Sequence, residues 1–169
     1  MNQNDYIVYR TAGVCQIIEI APQSMDGVNT MLYYKLKPIA DPNSTYYIPT
    51  DHAESKLRPL LTKEEVLSLI DSMPTEAQDD ALWTDNRRER KEMYAQILKG
   101  DDQYALVRLI SSLYFRKQFS EQQGKRFSAM DESAMKNAET LMLQEFGFVL
   151  EMQEPELRRF IDDRVKSKK

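Results

Sequence analysis

Cysteine is almost missing from this chain of 169 residues: Cys15 stands alone. No internal disulfide can form, and a reducing cytoplasm is the expected setting. Histidine is equally scarce, with His52 the only one. A metal centre needs three or four converging ligands. One His and one Cys leave only carboxylates, and none of these has the spacing of a calcium-binding loop. The five glycines are scattered singly, so no phosphate-cradling loop is present. No apolar run approaches the roughly 20 residues that cross a bilayer. The opening MNQNDYIVYR lacks a basic start followed by an apolar stretch, so no secretory signal is expected. His52 lies beside Asp51 and Glu54, which reads either as an acid–base pair or as an ordinary surface loop. Cys15 falls in a strand pattern and reads as a small buried hydrophobe. The sequence gives no support for an enzyme, and a monomer with no cofactor, no metal and no membrane is expected.

What is present is uneven in charge. The net charge is −4, which argues against bulk coating by nucleic acid. Residues 1–60 carry 5 basic and 6 acidic side chains, and residues 61–86 carry 1 and 7. Residues 87–126 then carry 10 and 5, and residues 127–169 carry 7 and 9. One basic island therefore sits in an acidic chain. It is either a solvated helix surface or a contact for a polyanion.

The texture of the chain changes near residue 60. YIVYR (6–10), VCQIIEI (14–20), TMLYYKLK (30–37) and TYYIP (45–49) are rich in Val, Ile, Tyr and Thr and read as strands. Ala12-Gly13, Asp26-Gly27 and Ala40-Asp41-Pro42-Asn43 punctuate them. Ile7, Tyr9, Ile18, Ile20, Leu32, Tyr34 and Leu36 follow a period of two, as half-buried strands should. Four or five short antiparallel strands in so few residues predict a small, strongly bent sheet or barrel.

From Thr62 the period becomes helical. Thr62-Lys63-Glu64-Glu65 is a capping box ahead of Val66, Leu67, Leu69 and Ile70. Residues 74–84 are acidic and turn-rich and read as a linker. A second helix is expected from Asp85 to Lys99, ended by Gly100. A third begins at Asp101-Asp102 with Leu106, Leu109, Ile110 and Leu113 on one face, until Gly124 breaks it. Ser128-Ala129-Met130-Asp131 opens a fourth, with Ala134, Ala138, Leu141, Met142 and Phe146 spaced for burial. Pro155 starts a short last helix that is expected to fray into Lys166-Ser167-Lys168-Lys169. The class is α+β, with a β-rich domain over 1–60 and a compact all-helical bundle over 61–169.

NDYIVYRTAGVCQI resembles the first hairpin of the CarD-type RNA-polymerase-interacting domain, which also occurs in the transcription-repair coupling factor. Asp5, Val8, Tyr9, Gly13 and Val14 match that pattern, while Asn4, Arg10 and Cys15 stand where the family has Gly, Pro and Gly. Ile48-Pro49, Asp51, Ala53, Leu57 and Arg58 fall on its Val-Pro-x-Asp-x-Ala turn and the Leu-Arg that follows. LWTDNRRERKEMYAQILKGDDQYALVRLISSLY is similar to the family's Trp, Arg-rich helix and Gly-Asp. SAMDESAMKNAETLMLQEFGFVL resembles its last long helix. The likeness runs over about residues 4–150.

The resemblance implies a Tudor-like barrel followed by the helical bundle. It implies docking of the barrel on the β subunit of RNA polymerase by strand addition at a sheet edge. Thr45, Tyr46, Tyr47 and Ile48 are the candidate edge, with ordinary strand packing as the alternative. It also implies that the helical domain meets promoter DNA at the upstream edge of the open bubble, by minor-groove and phosphate contacts without sequence specificity. Trp83 is then a wedge against unstacked bases, or else a bundle packing residue. Arg87, Arg88, Arg90 and Lys91 are the candidate phosphate contacts. They span just over one turn and cannot all share a face, whereas Arg87, Arg90 and Lys91 can. The expected activity is stabilisation of promoter opening, and the alternative is an adaptor that binds polymerase without touching DNA.

Overall fold

The structure is a computed structural model that describes residues 1–77 and 82–168. It falls into two compact units, Met1–Leu60 and Leu61–Lys169. Among the described residues the first is a five-stranded antiparallel sheet and the second holds five helices.

The strands are β1 (Tyr6–Tyr9), β2 (Gly13–Gln23), β3 (Met31–Pro38), β4 (Tyr46–Pro49) and β5 (Leu57–Pro59). Their order across the sheet is β4-β3-β2-β1-β5. Asp26 shapes the β2–β3 hairpin tip by accepting from the amides of Val28 and Asn29, at 2.9 and 2.8 Å. Those amides, Val28 first, hold its carboxyl down at about 2, and Gly27 supplies the positive φ of 75° that the turn needs. Asn4, where the family pattern has glycine, takes φ 73°. Asn is among the side chains that tolerate that region best.

The sheet core is Ile7, Cys15, Ile17, Leu36, Ile48, Ala53 and Leu57, with Tyr9, Ile20 and Tyr34 packed against it. Strict alternation placed Ile18 inward. Instead Ile17 is fully buried and Ile18 only partly. The cause is a bulge: Ile17 pairs with Leu36 and Glu19 with Lys35, so Ile18 has no opposite number. One extra residue flips the parity of β2 and increases its twist. Leu32, also expected on the inner face, is 46% exposed. The sheet bends far enough that Tyr9 of β1 and Tyr46 of β4 meet edge to face at 5.1 Å, although two strands lie between them.

The helices are α1 (Lys63–Asp71), α2 (Arg87–Lys99), α3 (Gln103–Gln122), α4 (Ala129–Leu150) and α5 (Glu154–Lys166). Each of the first four begins on a side-chain cap: Thr62, Asn86, Asp102 and Ser128. The Thr62–Glu65 box is reciprocal, at 3.1 and 2.8 Å. Gly100 ends α2 without a left-handed turn, at φ −83°. A Cβ there would sit 3.0 Å from the carbonyl oxygen of Gln96, a tight contact that a side chain could have only if that turn gave way by a few tenths of an ångström. Val66, Ile70, Leu106, Leu109, Leu113, Ala138, Met142, Phe146, Leu157 and Ile161 meet in one core. The larger of these, from Val to Phe, contribute roughly 1.5–3 kcal/mol each when buried.

The C-terminal segment is more ordered than a fraying end. Arg164 holds Asp71 with two bonds of 2.7 and 3.0 Å. Lys168 Nζ donates to the carbonyls of Asp71 and Met73. A lysine on the last carbonyls of α1 satisfies acceptors that the helix itself cannot. Residues 78–81 of the expected linker, and Lys169 of the expected tail, lie outside the described residues.

Cys15 is buried, and burial pushes its thiol up to about 11. At pH 8 it is almost entirely protonated, so a thiol-specific reagent should label it only after denaturation. Fast labelling of the native protein would show that the sheet core is open.

Candidate functional site

Two surfaces carry the residues singled out by sequence. The first is β4, an edge strand paired only with β3. Thr45 precedes the strand, so the expected edge begins one residue too early. The amide of Thr50 donates to the carbonyl of Leu32 at 2.9 Å. Hydrogen-bonded and non-bonded pairs alternate along an antiparallel ladder. With Tyr34 opposite Ile48 and Leu36 opposite Tyr46, the amides of Tyr46 and Ile48 therefore point into the sheet. That of Tyr47, opposite Lys35, points away from it, and Pro49 has no donor to offer.

The side chains divide differently. Ile48 is buried, while Tyr46 and Tyr47 are 37% and 40% exposed. Lys35 lies 6.0 Å from the Tyr47 ring and 3.8 Å from Glu19 on the next strand. A row of Glu19, Lys35 and Tyr47 thus runs across three strands beside the edge amide. His52 follows in a left-handed turn, φ 60°, with its carbonyl accepting from Ser55.

The second surface surrounds Trp83 and the start of α2. Asn86 caps the helix by accepting from the amides of Arg88 and Glu89, at 3.0 and 3.1 Å. This places Arg87, Arg88 and Lys91 in solvent and turns Arg90 inward, 8% exposed. Arg90 Nε donates to Asp131 Oδ1 at 3.1 Å and Nη2 to Oδ2 at 3.4 Å. Its Nη1 donates to the carbonyl of Thr84 at 3.1 Å. The face expected from Arg87, Arg90 and Lys91 is therefore not a free cationic face, because Arg90 is committed to a carboxylate in the bundle. Arg88 lies 3.5 Å from Glu92 on its own helix.

Trp83 is half-buried and packs against the bundle core. Its ring has the Arg90 guanidinium at 4.3 Å and that of Arg116 at 3.8 Å. Its indole N–H donates to Asp85 at 3.1 Å. Two cations against the ring and a hydrogen bond from its N–H fix the indole in place.

The residues that sequence reasoning missed are Asp131, Tyr94, Ser128 and Arg116. Asp131 is 3% exposed and also accepts from Tyr94 OH and Ser128 Oγ, both at 2.7 Å. Burial by itself would raise its pKa, but the bonds from Tyr94, Ser128 and Arg90, with the charge of Arg90, hold it below the ordinary range. Burial and the adjoining carboxylate push Tyr94 upward in turn. Of these, only the Ser128-x-x-Asp131 spacing was visible as a helix start.

The sequence comparisons bear on the first surface. The family model of the CarD-like/TRCF RID domain matches residues 1–61. No curated protein matches the chain significantly.

Replacing Asp131 by Asn should leave the Arg90 charge buried without a counter-charge and cost about 3 kcal/mol in urea unfolding. Tyr94→Phe should cost about 1 kcal/mol. A carboxylate with a depressed folded pKa contributes its stability above the ordinary value of 3.8 and loses it as pH falls through the lower, folded value. The wild-type advantage over Asp131→Asn should therefore shrink below about pH 4. A constant difference between the two proteins down to pH 2 would contradict this assignment. In residues 1–61 the chain carries a CarD-like/TRCF RID domain, an RNA-polymerase-interacting domain.

Proposed function

We propose that this chain is a non-enzymatic, cytoplasmic transcription regulator that holds RNA polymerase through β4 and steadies the open promoter through its helical unit. The observation that carries the reading is the domain match over residues 1–61, joined to an edge strand whose Tyr47 amide points outward. The sheet, in this reading, is a Tudor-like barrel, and a strand of the polymerase β subunit extends it beyond β4. Main-chain bonds would supply affinity, and the exposed Tyr46 and Tyr47 rings contact area.

For the helical unit the proposed DNA contacts are Arg87, Arg88 and Lys91. Arg87 and Arg88 occupy the first turn of α2, where the helix dipole disfavours cations. A nearby phosphate would offset that cost. Contacts of this kind hold position without reading sequence. Trp83 would face the opened upstream edge of the bubble. Its packing between Arg90 and Arg116 favours the second reading for this one residue: a bundle tryptophan in an adaptor that binds polymerase without DNA.

Tyr47→Pro removes the outward donor and leaves the Tyr46 and Ile48 donors to β3 in place. The full-length variant should fold and lose co-purification with the β subunit; normal binding would sink the edge mechanism. Neutralising Arg87, Arg88 and Lys91 together should weaken duplex DNA binding on any sequence and flatten its salt dependence by up to about three units of slope. Trp83→Ala should shorten the open-complex lifetime while leaving closed-duplex affinity nearly unchanged. An unchanged lifetime, with polymerase still bound, assigns Trp83 to the bundle and favours the adaptor.

A further inference from the structure

On one side β2 and β3 run past their neighbour. The last β1 partner along β2 is Gln16, and the Gln3 side chain reaches the carbonyl of Ile18. The β2–β3 pairing continues out to Gln23 and Met31, and residues 24–30 close this two-stranded arm. Its tip is built rather than loose. Besides the amides of Val28 and Asn29, Asp26 accepts from the Asn29 side-chain amide at 2.8 Å and the Ser24 hydroxyl at 3.4 Å.

This fixed tip presents apolar side chains to solvent. Val28 is 83% and Met25 56% exposed, and Met31 and Leu32 are exposed beside them. Met31 and Leu32 lie on opposite faces of the arm, Met31 with the parity of Tyr33 and Leu32 with that of Tyr34. Pro22, opposite Leu32, is exposed too and has no amide to offer a further strand. Apolar groups at the end and on both faces suit insertion into a groove, and methionine adapts to an irregular one.

Charge decides among the occupants. From residue 20 to 34 the only charged side chain is Asp26, in a chain that is 30% charged, and its carboxylate is taken up by the loop. A two-stranded ribbon can enter a DNA groove, but phosphates call for cations and the arm has none. A lipid surface asks for Lys or Arg beside the apolar groups. A second copy would have to bury about 800 Å² on each partner, more than four side chains supply. An apolar groove on a larger protein remains, and the domain match over residues 1–61 points to RNA polymerase. The arm also adjoins the candidate edge, since the carbonyl of Leu32 accepts from the amide of Thr50, the residue after β4.

We propose that the β2–β3 arm inserts its apolar tip into a nonpolar groove of RNA polymerase, beside the strand that extends β4. This rests on the reading that β4 docks there, and it adds a side-chain contact to the main-chain one.

The test is titration of the full-length protein against RNA polymerase core enzyme, with sedimentation of the free protein beside it. Met25→Gln/Val28→Ser should bind about tenfold more weakly. Both side chains stand in solvent, so its thermal unfolding should match the wild type. Leu32→Thr, a residue at home in a strand, is an independent variant expected to weaken binding in the same direction. When saturated with polymerase, the double variant should still show a protected Tyr47 amide in hydrogen exchange, which separates the arm from the edge. If both variants bind as the wild type does while Tyr47→Pro does not, the arm proposal is overturned and the edge reading stands. If the wild type does not bind polymerase, both fail together. If the wild type sediments as a dimer and the double variant as a monomer, the arm is occupied by a second copy and the proposal is overturned.

Discussion

A carboxylate withdrawn from water costs several kcal/mol unless donors replace its hydration, and the helical unit is organised around meeting that demand at Asp131. Tyr94 and Ser128 each give it one bond and Arg90 gives it two. The consequence reaches outward through Arg90. Its remaining N–H groups hold the carbonyl of Thr84, and its flat face takes one side of Trp83. One buried charge on α4 thereby sets the first turn of α2, the rotamer of the only tryptophan, and which basic side chains are left for a partner. Arg87, Arg88 and Lys91 are exposed because Arg90 is not.

The sheet obeys a different constraint. A four-residue edge strand cannot offer a long row of unpaired groups, and Pro49 shortens it further. What remains is narrow: the Tyr47 amide and carbonyl, flanked by two half-exposed rings. So short an edge limits indiscriminate pairing with other chains, while a partner strand of the right register could still add to it. The ladder of Glu19, Lys35 and Tyr47 makes the geometry beside that amide definite.

Local signals were legible before the structure. The Thr62 capping box, the Asp102 and Ser128 starts and the period change near residue 60 depend on neighbours in sequence, and each helix begins within a residue or two of its expected place. The α+β class followed from the same periods. What was not legible depends on partners far along the chain. Arg90 looked like one more cation of the island, since its partner Asp131 lies 41 residues away. Trp83 read equally as wedge or packing residue because nothing nearby in sequence foretold Arg116 over its ring. In the sheet, the bulge at Ile18 reversed the parity that alternation implied, a tertiary choice made by curvature. Lys168 read as tail because the carbonyls it binds, of Asp71 and Met73, lie 97 and 95 residues away in the chain.

The sharpest measurement is hydrogen exchange at the Tyr47 amide, with and without the polymerase β subunit. Its outward register predicts rapid exchange in the free protein, slowed strongly when a partner strand accepts from it. The amides of Tyr46 and Ile48, already bonded to β3, should change little. A complex that forms with Tyr47 exchange unaltered would contradict docking through β4.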